Sequence, residues 1–554
     1  MRARRAARRA RASTLDLRSP RAWLIRRNEA RRLRRDHPGL ATDLSRRAGA
    51  PRGRYLIVSL TDRPRHVRLE AILAKSLQLR GAQVDVLTFR SMRAGVHTYR
   101  GLGFRNLVFW DDFVGAPRDW RRETNAALDR CHTLDDFKRY EYGGARVGRH
   151  ALSTIVRAGH EPSIDLDDPA VRARLAATLE YGIEGVETGA RVLEAVRPEA
   201  LLMIERGYAG LGSVSDLALE RGIPVIQFGS AHRDDAFLLK RYSSAHRELH
   251  PRSLDDSTWQ RLLAGGWTEK RREALEAELS EREEAKWFTA RHARHSARRR
   301  GPDRLRLDLG LDPTRKVAAL FAHVLWDAAL FYGRDVYPDP GRWFAETLKL
   351  AAESPDVQWL VKLHPALYWK LQHDGVRREP AELGLIADTL GELPPHMQLL
   401  RPDDDVDNTD LFQLIDAGVT IRGTIGLELP RLGIPVLTAG TGDYSGRGFT
   451  VDAETIPEYE RNVRSIAELG RLDDDTIRLA NLYAYGVFCA RPWRFTSFSL
   501  EYPPPEEAGV SLDHRLEYHV RTLDELERAE DLHAFAHWVL DEETADYVNE
   551  AATG

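Results

Sequence analysis

The chain has 554 residues, a formal net charge of −2 at pH 7 and only two cysteines, Cys131 and Cys489. A chain of this length divides into two or three domains, and its near-neutral charge excludes a global preference for nucleic acid. The two distant cysteines exclude a disulfide framework or a thiolate metal site, which favours a reducing cytoplasmic compartment.

The first fifty residues are strongly basic, with 16 arginines against four acidic residues. This composition predicts an arm over residues 1–50 that is either disordered or adsorbed peripherally to the anionic inner face of a membrane. Nucleic acid is not the expected partner, because Trp23 is the one Phe, Tyr or Trp ring in the segment on which a base could stack. No stretch of the chain has the 18 charge-free apolar residues of a membrane span.

Apolar runs and helical periodicity then alternate. Residues 54–89 and 199–230 each read as strand, helix, strand, residues 104–113 as a further strand, and residues 115–195 as mainly helical. We therefore predict a Rossmann-like α/β domain over residues 51–300, with helical insertions, a parallel sheet and a charged linker at its end.

The alternation resumes after the linker. Strand patterns begin near Lys316 and recur in "VQWLVKLHP", "DAGVTIRG" and "IPVLTAG", with helical patterns between them. This predicts a second Rossmann-like domain over residues 301–470, followed by a helical C-terminal tail over residues 471–554. Two α/β domains imply a cleft between them, which is a common place for ligand sites.

The strand "QWLVKLHP" ends in two residues of chemical interest. Lys362 and His364 alternate on the strand, and Pro365 stops its hydrogen-bond ladder. Both side chains should lie at the carboxyl end of the strand, where open α/β sheets bind ligands. His364 can donate a hydrogen bond to a phosphate or a leaving oxygen, and the alternative is a turn histidine bonded to backbone.

The stretch "VTIRGTIGLELPRLGIPVLTAGTGDYSGRGFT" predicts an anion site. A strand ends at Arg422, Gly423 permits close approach, and Thr424 can cap a helix whose free N–H groups favour phosphate. Glu428, one turn further, can accept two hydrogen bonds from a ribose diol, or it is an exposed partner of Arg431.

Arg447 in the loop that follows can hold a phosphate, or it faces water. The aspartate-rich "RPDDDVDN" lacks calcium-binding spacing, so we predict no metal site.

Candidates in the first domain also follow strands. Glu205 follows "ALLMI", and His232 and Asp234 follow "PVIQF", so any of the three can act as the base or nucleophile that faces an acceptor. Their alternative is ordinary loop composition.

The order "KLHP", "DLFQLIDAGVTIRGTIGLELPRLGIPVLTAG", "GRGFT" resembles bacterial capsular polysaccharide biosynthesis proteins of the Kdo-transferase-like type. The resemblance extends more distantly to nucleotide-sugar 2-epimerases and teichoic-acid glycerophosphotransferases. The stretch "LFAHVLWDAALFYGRDVYPDPGRWFAETL" is similar to the opening of that family's second domain, with Asp327 in the matching loop. The likeness is clear over about 315–455 and faint over 54–240.

The resemblance implies the GT-B architecture, in which two Rossmann-like domains face each other across a cleft and the second holds a nucleotide-sugar donor. It also implies a metal-independent glycosyltransferase without a cofactor, which transfers a sugar to a capsular polysaccharide or a lipid-linked acceptor. Three alternatives stay open: a nucleotide-sugar 2-epimerase, a CDP-polyol phosphotransferase, and a noncatalytic polysaccharide- or nucleotide-binding subunit.

Overall fold

The computed structural model describes residues 31–44, 52–115, 117–283, 299–501 and 515–549. These residues form two compact units. Unit 1 comprises residues 1–154, 169–247 and 492–547, and unit 2 comprises residues 155–168, 248–491 and 548–554. The α/β fold class with two Rossmann-like sheets is confirmed.

Unit 1 is built on six strands from the first half of the chain: β1 Arg54–Val58, β2 Gln83–Thr88, β3 Leu107–Phe109, β4 Ala200–Met203, β5 Val225–Ser230 and β6 Ala236–Tyr242. Strands β1 to β5 are parallel in the order β3-β2-β1-β4-β5. The sheet departs from the parallel prediction at β6, which runs antiparallel to β5 because only five residues connect the two strands.

Unit 2 contains the second sheet, formed by β7 Val317–Phe321, β8 Gln358–Lys362, β9 Met397–Leu400, β10 Ala417–Thr420, β11 Val436–Thr438 and β12 Val451–Asp452. All neighbouring strands pair in parallel, in the order β12-β11-β10-β7-β8-β9. This is the dinucleotide-binding order, whose switch point lies between β7 and β10. Every residue of β7, β8 and β10 is buried, as expected for central strands covered on both faces.

After unit 2 the chain adds three further strands to unit 1: β13 Trp493–Arg494, β14 Phe498–Glu501 and β15 Arg515–Tyr518. Strand β13 extends the first sheet beside β6, and β14 pairs with β15 in a separate hairpin. The segment expected to be a helical tail therefore also contains strands, and most of it belongs to unit 1.

The helices connect and cover these strands. In unit 1 they are 31–36, Pro64–Leu79, Arg93–Gly101, Pro117–Arg130, Leu134–Arg139, Pro169–Val196, Leu211–Glu220, Leu523–Arg528 and Glu530–Asp541, with Val147–Gly159 beginning there. In unit 2 they are Asp256–Gly265, Glu269–Glu283, Pro302–Asp308, Pro340–Ala352, Leu367–His373, Ala381–Leu390, Asn408–Phe412, Ile425–Glu428, Ile456–Arg464 and Asp474–Tyr485, the last continued by a π-helical turn over Gly486–Ala490.

The basic N-terminal segment is only in part the arm that was expected. Leu33, Leu40 and Leu44 are buried in the core of unit 1, where they belong to its main hydrophobic cluster. Lys75 donates a hydrogen bond of 2.6 Å to the carbonyl of Thr42, which fixes this segment on the unit. The rest of the predicted arm, residues 1–30 and 45–50, lies outside the described residues.

Candidate functional site

A cavity of about 210 Å³ lies within unit 2 at the carboxyl ends of β7, β8 and β10. The register places Phe321 opposite Lys362, and Thr420 donates a hydrogen bond to the carbonyl of Phe321, so the three strands end at the same level. The cavity therefore occupies the switch point of the sheet, the expected ligand position. Its lining includes the polar or ionisable residues Arg252, Arg282, His323, Lys362, His364, Asn408, Thr420, Thr424 and Glu428.

Lys362 brings a buried charge to this cavity. It is the last residue of β8 and only 7% of its surface is exposed. Burial lowers its pKa to about 8, although Asp404 and Asp407 oppose this shift. Among the described residues its ammonium group forms neither a hydrogen bond nor an ion pair. A buried ammonium without a close anion is costly, and an anionic ligand would offset that cost.

Two histidines flank the lysine. His323 and His364 both line the cavity, and their ring centroids are 6.3 Å apart. Burial lowers the pKa of His323 to about 4, and burial together with the neighbouring His323 lowers the pKa of His364 to about 3. Both imidazoles are therefore neutral near pH 7. The Nδ1 atom of His364 accepts a hydrogen bond of 3.1 Å from the Ala366 N–H, so the residue is bonded to backbone and also lines the cavity.

Glu428 lies in the cavity and is 8% exposed. The Nε of Arg431, the alternative partner predicted for Glu428, donates a hydrogen bond to Asn481. Oε1 of Glu428 accepts a hydrogen bond of 2.8 Å from Nη2 of Arg282, on the helix Glu269–Glu283. Arg252, whose Nε lies 3.3 Å from Oδ2 of the buried Asp443, and Lys362 also line the cavity. The lining residues themselves include three cationic side chains and one carboxylate, and Lys362 is the cation that favours an anionic ligand.

The turn after β10 supports the cavity wall. The Gly423 N–H donates to Oγ1 of Thr420, and a Cβ on Gly423 would come within 2.9 Å of that oxygen. Tyr444 donates a 2.7 Å hydrogen bond to the carbonyl of Gly423 and occupies the space where a Cβ of Gly426 would be. A glycine at each position therefore permits this close packing.

The same turn departs from the expected anion-binding helix. The helix Ile425–Glu428 has only four residues, and Thr424 makes no side-chain cap. The N–H groups of Gly426 and Leu427 bond to the carbonyls of Gly423 and Thr424, so they are not directed at a ligand. Thr424 still lines the cavity, and the positive charge there comes from side chains.

Arg422 and Arg447 lie outside the cavity lining. Arg422 pairs with Asp335 and donates a 2.9 Å hydrogen bond to the carbonyl of Tyr332. Arg447 donates to the carbonyl of Leu254 and pairs with Asp256 at 2.9 Å. Both arginines hold loops together and neither is among the cavity-lining residues.

Asp327 also lies outside the cavity lining. Its carboxylate contacts Lys370 and, at 3.1 Å, Nε of Arg157. Burial opposes its ionisation, but these two cations hold its pKa at about 2. Arg157 also pairs with Asp374 at 2.6 Å. Asp327 therefore belongs to an ion-pair network that fixes the loop after β7, the loop that contains His323.

In unit 1, Glu205 follows β4 and closes its own turn, because its Oε1 accepts hydrogen bonds from the N–H groups of Arg206 and Gly207 at 2.8 and 3.0 Å. His232 and Asp234 lie in the connection between β5 and β6. Because β4 and β5 are parallel neighbours, all three residues follow strand ends on the carboxyl side of the sheet. Asp62, after β1, accepts a hydrogen bond from the Gly95 N–H at 2.7 Å.

Sequence reasoning missed two features. Arg282 lines the cavity from the charged region before the predicted linker, and Arg252 lines it from the segment just before that region, and no local pattern identifies either residue. In unit 1, Asp216 is buried and accepts hydrogen bonds from Arg146 at 2.8 Å, and its Oδ2 lies 2.9 Å from Nε2 of His150. Burial opposes ionisation of Asp216, yet His150 and Arg146 hold its pKa well below the ordinary value.

Among the described residues, no cluster of three or more His, Cys, Asp or Glu side chains has a metal-binding arrangement. No helix in this described part of the chain has the length and apolar character needed to cross a bilayer.

No protein-family model matches the chain, and no curated protein matches it in sequence. Solved structures similar to it include the KpsC β-Kdo 2,4-transferase of Thermosulfurimonas dismutans, at 15% identity over 59% of this chain and 87% of that one, with a TM-score of 0.33. The UDP-GlcNAc 2-epimerase of Neisseria meningitidis bound to UDP-GlcNAc is 15% identical over 78% of this chain and 96% of that one, with a TM-score of 0.26. The glycosyltransferase of kitacinnamycin is 16% identical over 79% of this chain and 95% of that one, with a TM-score of 0.23. Kdo transferases and 2-epimerases are classes that the sequence resemblance named.

Proposed function

We propose that this protein is a glycosyltransferase that binds a nucleotide-sugar donor in the unit 2 cavity and transfers the sugar to a polysaccharide or glycolipid acceptor. The observation that carries the proposal is Lys362, a buried cation that lines the cavity at the carboxyl ends of a dinucleotide-order sheet. An anionic phosphate would supply the missing counter-charge, and Arg252 and Arg282 add to the attraction.

Four cavity residues have defined roles in this proposal. Lys362 binds the donor phosphate, and His364 donates a hydrogen bond to the phosphate or the glycosidic oxygen as negative charge develops on the leaving group. Glu428 accepts hydrogen bonds from the ribose diol. Arg282 donates to Oε1 of Glu428 with one of its five N–H groups, and the remaining N–H groups of this guanidinium can bind the donor phosphate.

In this proposal Lys362, His364 and Arg282 neutralise the negative charge of the leaving phosphate. We therefore propose that transfer needs neither a resident metal nor a cofactor. The expected result is equal initial rates with and without EDTA, after prior dialysis against the chelator. A rate that falls with EDTA and returns with added Mg²⁺ would contradict this part of the proposal.

The first test is thermal unfolding with CMP, CDP, UDP and GDP in turn, because a ligand at about 100 times its Kd adds roughly 2.7 kcal/mol to stability. We expect one nucleotide to raise Tm selectively, and Glu428→Gln to weaken this shift. Glu273→Gln, at an exposed position on the helix Glu269–Glu283 of the same unit, is the matched control. Absence of a shift with all four nucleotides would refute a donor site here.

The second test uses the sugar conjugate of the nucleotide that binds. A glycosyltransferase is expected to transfer the sugar to an acceptor or to release it slowly to water, and His364→Ala should abolish both reactions. Conversion of the sugar nucleotide alone into an epimer would refute the proposal in favour of an epimerase. Glu205→Gln, His232→Gln and Asp234→Asn then test which unit 1 residue acts as the base toward the acceptor.

We also propose that the protein works in the cytoplasm, with its basic N-terminal segment on the inner face of the membrane. Sixteen arginines attract anionic lipid. Co-sedimentation with phosphatidylglycerol vesicles tests this, using a variant that lacks residues 1–30 and keeps the buried Leu33, Leu40 and Leu44. Equal sedimentation of the full chain and this variant would refute membrane contact through the removed segment.

A further inference from the structure

The hydrogen bonds of the two cavity histidines determine which ring nitrogen of each carries the proton. Nδ1 of His323 lies 2.9 Å from the carbonyl oxygen of Val324. A carbonyl only accepts hydrogen bonds, so Nδ1 of His323 must be protonated. In a neutral ring this leaves Nε2 of His323 with a lone pair and no proton.

His364 is held in the opposite way. Its Nδ1 accepts a hydrogen bond of 3.1 Å from the backbone N–H of Ala366. A backbone N–H only donates, so Nδ1 of His364 carries the lone pair and the neutral ring has its proton on Nε2. Protonation of this ring at Nδ1 would break the bond to Ala366, which agrees with the depressed pKa of His364.

Both rings line the same cavity, with centroids 6.3 Å apart, and both are neutral near pH 7 for the reasons given above. Among the described residues, neither Nε2 atom forms a hydrogen bond. The pair therefore offers a ligand one N–H donor and one nitrogen acceptor. An anionic oxygen can bind the donor on His364, but only a group that carries a proton can bind Nε2 of His323.

We propose that Nε2 of His323 accepts a hydrogen bond from a hydroxyl group of the substrate, while Nε2 of His364 donates a hydrogen bond to an anionic oxygen. This inference rests on the proposed nucleotide-sugar site and adds to it a residue that binds a hydroxyl group of the ligand. The hydroxyl belongs either to the nucleotide ribose or to the transferred sugar. Because the ring is a weak base here, it orients the hydroxyl and does not remove its proton.

The tautomers can be measured without any ligand. In the full-length protein labelled with ¹⁵N-histidine, long-range ¹H–¹⁵N correlation spectra distinguish protonated from unprotonated ring nitrogens. His323→Gln and His364→Gln assign the two signals by deletion. The expected result is an unprotonated Nε2 in His323 and an unprotonated Nδ1 in His364. The same tautomer in both rings, or a proton on Nε2 of His323, would overturn the inference regardless of what the protein binds.

Binding is tested with a matched pair of substitutions. The amide oxygen of His323→Gln can replace Nε2 as an acceptor, whereas His323→Asn keeps only a donor toward the Val324 carbonyl. With the nucleotide that stabilises wild type and with its sugar conjugate, we expect His323→Asn to weaken binding of at least one about 3- to 10-fold and His323→Gln to weaken it less. His537→Gln, an exposed position in unit 1, is the control.

The ligand series separates the two sources of the hydroxyl. If His323→Asn weakens binding of the nucleotide but not of its 2′-deoxy or 3′-deoxy form, the hydroxyl belongs to the ribose. If His323→Asn weakens binding of the sugar conjugate only, the hydroxyl belongs to the sugar. Wild-type affinity of His323→Asn for every ligand would overturn the inference. Absence of nucleotide binding by wild type would instead refute the proposed function, and the spectra would still decide the tautomers.

Discussion

Replacement of Lys362 by methionine should stabilise the ligand-free protein while it destroys the proposed donor site. Methionine keeps an unbranched side chain of similar length in the space that the lysine occupies, and it removes the buried charge. A gain in protein stability combined with a loss of binding distinguishes a ligand-binding residue from a structural one, because replacement of a structural residue lowers the stability of the protein.

The size of the gain follows from the pKa of the lysine. Burial lowers this pKa from 10.5 to about 8. Each tenfold change in an ionisation constant corresponds to about 1.4 kcal/mol, so the charged form destabilises the fold by about 3 kcal/mol at pH 7. Lys362→Met removes this cost, and we expect it to gain about 2–3 kcal/mol in free energy of unfolding.

The pH dependence has a defined sign. The unfolded chain binds the lysine proton more tightly than the folded protein does, so wild-type stability rises as pH increases from about 8 toward 10.5. The advantage of Lys362→Met is therefore full below pH 8 and shrinks above it. Urea unfolding at pH 7 and pH 9.5, with equal m-values, measures both quantities.

Lys349→Met is the control, because Lys349 is exposed and pairs with Glu346 on the surface of the same unit. Its effect should stay within about 0.5 kcal/mol at both pH values. Saturating nucleotide should raise the stability of wild type and leave that of Lys362→Met unchanged. Destabilisation by Lys362→Met, or a gain that is the same at pH 7 and pH 9.5, would refute the reasoning.

Two further predictions concern buried groups of unit 1. Asp216→Asn should cost about 3–5 kcal/mol in guanidinium unfolding at pH 7, because Arg146 and His150 lose their buried anion; a loss below about 1 kcal/mol would contradict this assignment. Burial also raises the pKa of Glu70 to about 7, although Tyr99 donates to it at 2.7 Å. The folded protein therefore holds this proton more tightly than the unfolded chain, and wild-type stability falls as pH rises from about 4.5 to 7. The free energy of unfolding of Glu70→Gln minus that of wild type should consequently be about 3 kcal/mol higher at pH 8 than at pH 4. A difference that does not change with pH would contradict the raised pKa of Glu70.

The secondary structure of both sheets could be predicted because its signals are local. The run that ends in "KLHP" forms β8, and the cavity-lining positions Lys362 and His364 follow from the stop that Pro365 imposes on the strand. Residues 31–44 were placed in an arm because charge dominates the composition there. Their three buried leucines became visible only with the surface against which they pack.

The sequence by itself determined two α/β sheets and the presence of polar residues at their carboxyl ends, because strand periodicity and strand termination are read within a few residues. Only the tertiary structure decided which strand ends are neighbours. The pairing of β7 with both β8 and β10 brings His323 beside His364 and the turn at Gly423, and the helix Glu269–Glu283 adds Arg282. The tertiary structure also pairs Arg422 with Asp335, outside the cavity lining. These contacts depend on strand order and on packing between distant segments, and no short stretch of sequence contains that information.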